Sequence, residues 1–207
     1  MNTLTKTRDK RIDVWKLTMT AMLSAIAFVL MFLEFSVPIL PPFIKMDLSD
    51  LPELIGAFAM GPVSGVAICL IKNLLHLFIS TTGGVGELSN FILGACFVLP
   101  AGMIYRKWKG KKSAILGASL GSLLMALVSV ISNYYIVYPF YYNFMDKDAI
   151  LSAYQAILPG VESILQCLIV FNTPFTLVKG LLSVAVTMLI YKHISPFLKG
   201  TNRLGKE

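Results

Sequence analysis

The chain has 207 residues, of which 56% are hydrophobic and only 14% charged, and its net charge is +7. A soluble domain carries about 25% charged residues, so this composition excludes an ordinary soluble domain and implies an integral membrane protein with one membrane domain. In that setting the positive excess reports loop orientation rather than nucleic-acid binding, and the three cysteines (Cys69, Cys96 and Cys167), odd in number and inside apolar runs, read as buried free thiols.

Residues 1–16 form a basic tail holding Lys6, Arg8, Lys10, Arg11 and Lys16. The first apolar block, 17–33, lacks a clear small-residue cleavage site and reads as a retained helix. Residues 35–50 follow, with Pro38, Pro41 and Pro42; prolines restrict φ and make a loop cheaper to order, so this segment is either a lid over a pocket or a stiff connector. The second block, 51–80, is long enough for two helices and contains Gly61-Pro62, a helix stop followed by a favoured start. Three further blocks cover 88–105, 114–139 and 164–191. In the last of these, Asn172-Thr173-Pro174 either caps a final span running from Pro174 to about His193 or kinks one longer helix.

Charge decides the count. The middle loop holds Arg106, Lys107, Lys109, Lys111 and Lys112, and the C-terminal tail (194–207, with Lys192 just before it) adds Lys199, Arg203 and Lys206, so three clusters contain 14 of the 18 Lys and Arg. Five spans would put two clusters on the wrong side. Splitting the second block at Gly61-Pro62 gives an all-α protein of six transmembrane helices over 17–193 with all three clusters, and both termini, in the cytoplasm. Eight acids (Glu34, Asp47, Asp50, Glu53, Glu87, Asp146, Asp148 and Glu162) then fall on or near the outer face. The second helix is short: 51–60 covers only about 15 Å, so it begins inside the preceding segment or stops short of the bilayer, and a re-entrant hairpin is the competing arrangement.

Polar residues inside spans point to function. A lysine near the middle of a span costs roughly 2.5–3.5 kcal/mol on insertion scales, so Lys179 is expected to face a protein interior or a polar ligand. Lys72 and His76 share a face of the third helix, as a polar wall, or as a snorkelling lysine and a histidine on a backbone carbonyl. Asn133, near the outer end of the fifth span, offers one acceptor and two donors, suited to a heterocycle edge of alternating carbonyl and N–H groups or to helix packing. Asn90 reads as a cap. The aromatics after Asn133 (Tyr134, Tyr135, Tyr138, Tyr141 and Tyr142 among them) form an interfacial belt or stack on a flat ring. Small-xxx-small pairs at Ala21/Ala25, Gly61/Gly65 and Gly117/Gly121 suit close helix packing. No P-loop, dinucleotide loop, metalloprotease helix or nucleophile elbow occurs, so the sequence carries no enzyme or metal signature.

Several blocks occurring in order resemble one family. These are Leu40-Pro41-Pro42-Phe43-Ile44-Lys45-Met46-Asp47-Leu48-Ser49-Asp50-Leu51-Pro52, Gly56-Ala57-Phe58-Ala59-Met60-Gly61-Pro62, Ile71-Lys72-Asn73-Leu74-Leu75-His76, Asn90-Phe91-Ile92-Leu93-Gly94, Asn133-Tyr134 and Pro174-Phe175-Thr176-Leu177-Val178-Lys179-Gly180. Together they are similar to the riboflavin-specific S components of energy-coupling factor (ECF) transporters, over about 16–193. The resemblance implies a subunit of a bacterial plasma-membrane importer that captures riboflavin outside, as transported ligand and not as cofactor. It implies partners as well: a transmembrane coupling subunit and two ATPase subunits. The implied substrate-binding residues are Asn133, Thr176 (asparagine in many relatives) and Lys179, with Leu40, Phe43, Lys45 and Asp47 from the lid; Ala21 and Ala25 would dock the coupling subunit. FMN is an alternative ligand needing further cations such as Lys45 and Lys72. A proton- or sodium-driven carrier is the alternative mechanism, disfavoured because no acid is expected deep within a span.

Overall fold

The computed structural model describes residues 14–37, 40, 41, 44–80 and 83–200, with 191–200 in backbone alone. The two outermost tails, with Lys6, Arg8, Lys10, Arg11, Arg203 and Lys206, and the lid residue Phe43 therefore lie outside the described residues.

Among the described residues, five helical stretches are long and apolar enough to cross a membrane: Val14–Phe32, Pro62–Ile79, Val85–Lys107, Lys111–Tyr141 and Ile164–Ile190. The first is α1 (Val14–Phe32). A two-stranded hairpin follows, β1 (Phe35–Ser36) antiparallel to β2 (Lys45–Met46), with Phe35 opposite Met46. The sixth expected helix is α2 (Asp50–Met60), 11 residues or about 16 Å long. It ends where the sequence places a break: Gly61 has φ 104°, a conformation that costs glycine little, and Pro62 opens α3 (Pro62–His76).

α2 contacts α1, α3, α4 (Val85–Lys107) and α9 (Thr173–Gly200), and Asp50–Leu54 are buried. A short helix is tolerated because protein rather than lipid surrounds its ends. Its C-terminal turn meets the end of the molecule that carries the basic loop. Thr20 of α1 donates to Met60 Sδ at 3.8 Å. Phe58 stacks on Tyr105 of α4 (Val85–Lys107) with centroids 4.9 Å apart. The basic loop then joins α4 to α5 (Lys111–Ser132), all five of its cations exposed. Val184 of α9 (Thr173–Gly200) packs in the same cluster as Ala114 and Ala118 of α5. α1 thus starts, and α9 finishes, at the basic end, although α9 runs on to Gly200, past the expected His193. Gly121 lets α4 and α5 approach: a Cβ there would lie 2.2 Å from the Phe97 carbonyl oxygen.

The opposite end is built from wide turns. α5 passes through a π-helical turn, Asn133–Val137, into α6 (Tyr138–Tyr141). α8 (Ile164–Cys167), capped by Ser163, passes through a second, Leu168–Asn172, into α9. Each π turn is followed two residues later by a proline, Pro139 or Pro174. A proline cannot bond the carbonyl four residues back and its ring collides with it; those carbonyls, on Tyr135 and Val170, lie inside the wide turns, which relieve the clash. Of the two arrangements open for Pro174, the structure adopts the longer helix. Between the turns lies α7 (Lys147–Gln155), whose Ile150 and Tyr154 are buried. The hydrophobic cluster here joins Ile44 of the hairpin, Val137, Tyr138, Tyr154 and Phe171.

Candidate ligand-binding site

A cavity of about 400 Å³ opens at this end. The hairpin supplies Ile44, Lys45 and Asp47; α3 and α4 supply His76, Glu87, Ser89 and Asn90; the two π turns and α9 supply Asn133, Val137, Asn172, Thr176 and Lys179. Five of the seven expected substrate residues (Lys45, Asp47, Asn133, Thr176 and Lys179) therefore line this one cavity. Leu40 packs against the neighbouring hydrophobic cluster and does not line it. Ala21 and Ala25 are exposed on α1.

Lys179 is 8% exposed. Its ammonium donates to Asp47 Oδ2 at 3.0 Å and lies 3.4 Å from Asp50 Oδ2. The expectation of a protein interior is met by these two carboxylates, and Lys179 also lines the cavity. Asp47 Oδ1 accepts from the Ser49 amide at 2.8 Å and from the Ser49 hydroxyl. Burial pushes the Asp47 carboxyl up, but the ammonium groups of Lys179 and Lys72 and the Ser49 hydrogen bonds outweigh it and hold the group well below the usual carboxylate range.

Asp50 and Glu53, expected on or near the outer face and not deep within a span, stand in the first turn of α2 directly after the hairpin, and both are 0% exposed. Lys72 does not snorkel: it is 0% exposed and sits 2.5 Å from Glu53 Oε1, 3.3 Å from Asp50 Oδ1 and 2.6 Å from Ser49 Oγ. An isolated buried charge is costly, and these acids are tolerated because lysines from α3 and α9 meet them. His76 likewise bonds the Glu87 carboxylate, 2.7 Å from Nδ1, rather than a backbone carbonyl. Asn90 is a wall residue rather than a cap; Gly84 occupies the N-cap of α4.

At the cavity floor Asn133 Nδ2 donates to Ser129 O at 2.7 Å. Asn172 Oδ1 accepts from the Tyr154 hydroxyl at 3.0 Å, and Tyr154 is hydrogen-bonded to Tyr138. Tyr154 carried no sequence signal, because α7 is short and only two of its residues are buried. Asn172 had a signal, an amide inside an apolar run, but Pro174 made it resemble a cap. Tyr135 is 71% exposed, as an interfacial aromatic is.

A helical membrane protein with an open, mixed polar and aromatic cavity at one end defines a small-solute-binding membrane subunit. Residues 15–191 match the family described as "ECF transporter, substrate-specific component", and the chain belongs to that family. Its relatives include the riboflavin transporter RibU of Staphylococcus aureus (strain TCH60), 37% identical, with 89% of this chain and 92% of that one covered. The riboflavin transporter FmnP of Bacillus subtilis (strain 168) is 34% identical over 90% and 95% of the two chains. A solved structure described as "Structure and mechanism of the S component of a bacterial ECF transporter" superposes with a TM-score of 0.71 at 36% identity, covering 90% of this chain and 98% of that one. Members of this family are transporter components, not enzymes, and work with ECF transporter modules.

Proposed function

We propose that the protein captures riboflavin at the outer face of the bacterial plasma membrane and delivers it inward together with an ECF coupling subunit and two ATPase subunits. The observation that supports this reading is that Lys179, Asn133 and Thr176 line the same cavity, whose volume suits a small organic ligand. Lysine has three N–H donors; with one on Asp47, Lys179 keeps donors for a flavin carbonyl or hydroxyl. Asn133 uses one donor on its own helix and keeps an acceptor and a donor for the alternating edge of the ring. Tyr138, Tyr141 and Phe175 supply aromatic wall. Lys45 of the hairpin closes over the guest together with Leu40, while Asp47 holds Lys179 in place. Ala21 and Ala25 offer a small-residue face on which the coupling subunit docks.

Purified protein is expected to be yellow, or to quench riboflavin fluorescence on titration. Lys179→Ala should weaken binding by well over tenfold, which is more than about 1.4 kcal/mol, because it removes a donor and leaves Asp47 without its partner. Unchanged affinity would remove Lys179 from the site.

A further inference from the structure

Lys72 lies outside the cavity wall, yet it touches what holds Lys179. Asp50 divides its carboxylate between two helices: Oδ1 is 3.3 Å from Lys72 on α3 and Oδ2 is 3.4 Å from Lys179 on α9. The second acid on Lys179, Asp47, is pinned by Ser49, and the Ser49 hydroxyl also accepts from Lys72 at 2.6 Å. Lys72 is thus bonded to Asp50 directly and to Asp47 through one serine, while Glu53 draws it from the other side at 2.5 Å. Three carboxylates and two ammonium groups share this buried space. Whatever fraction of the Asp50 charge Lys72 does not satisfy falls on Lys179, the other cation within reach, and draws it back from the cavity.

We infer that Lys72 is a positioning residue for ligand capture, setting how far the Lys179 ammonium is free to engage a guest. The inference rests on the riboflavin reading above for its probe. It also has a sign. Lys72→Met keeps the volume and removes the charge, so Asp50 is left to Lys179 alone of these two lysines, and Lys179 retreats. Glu53→Gln is nearly isosteric and does the opposite: Lys72 turns its whole charge to Asp50, and Lys179 is released toward the cavity.

The test is riboflavin titration of purified wild type, Lys72→Met and Glu53→Gln, each checked for monodisperse elution. The expected result is binding weaker by about tenfold in Lys72→Met and tighter by about threefold in Glu53→Gln. A packing role for the cluster predicts loss in both variants, or in neither, and either pattern overturns the inference. Should Lys72→Met fail to fold, the direction of the Glu53→Gln change decides alone, since neither Glu53 nor Lys72 lies on the wall and only tighter binding fits. Wild-type protein that takes up no flavin fails the riboflavin reading; variants that move wrongly against a binding wild type fail this one.

Discussion

Tyr154 shows how one side chain from an outer helix organises a cavity it does not line. Its hydroxyl joins Tyr138 of α6 to Asn172 of the second π turn, so it couples the two wide turns on which Asn133 and Asn172 stand. Tyr154→Phe removes one buried hydrogen-bonding group and leaves Asn172 Oδ1 without that donor, at a cost of about 1–2 kcal/mol. For a chain of this size that lowers the melting temperature in detergent by about 3–6 °C, and riboflavin affinity is expected to fall with it as Asn172 loses its orientation. An unchanged melting temperature would mean that the hydroxyl chain carries no net stability. At the same scale, sequence alone singled out Lys179 and Asn133 because a polar group in an apolar run is conspicuous. It did not reveal that Asp50, Glu53 and Lys72 are buried together, since that depends on separate elements: Lys72 and Asp50, 22 positions apart in the chain, meet only in the folded state.

At the scale of elements, two devices place the site. The Gly61-Pro62 break was legible because both residues act through local backbone geometry. The π turns were not, because Pro139 and Pro174 signal a disturbance without saying whether the helix stops, kinks or widens. Widening is what happens, and it gives the cavity Asn133, Val137 and Asn172 from helices that otherwise run on unbroken. Pro174→Ala restores an N–H at 174 that can bond the Val170 carbonyl in ordinary α geometry. If the turn tightens, Asn172 shifts around the helix relative to Thr176 and Lys179 by up to about 100°, one residue's rotation. The expected outcome is a raised melting temperature together with riboflavin binding weakened by roughly tenfold, or about 1.4 kcal/mol. A more stable protein with undiminished affinity would show that the wide turn is not what aims Asn172.

In the proposed function, the whole molecule separates capture from coupling along its length. The cavity lies at the hairpin end, whereas α1 touches α2 at the basic end through Thr20 and Met60, and Ala21, next to Thr20, is exposed there with Ala25 one turn further. Members of this family work with ECF transporter modules, and in the proposed function the coupling subunit docks where helices can approach closely. Small exposed residues on a membrane helix provide that, because without a hydrophobic driving force between helices in lipid, association rests on close van der Waals contact. Replacing both alanines by phenylalanine adds bulk on a face turned away from the core. Because distant sites behave additively, riboflavin affinity of the purified variant should stay within about twofold of wild type. ATP-driven uptake in liposomes containing the coupling and ATPase subunits should be lost. Loss of binding along with uptake would mean the substitutions damage the fold, and full uptake would place the docking face elsewhere on the molecule.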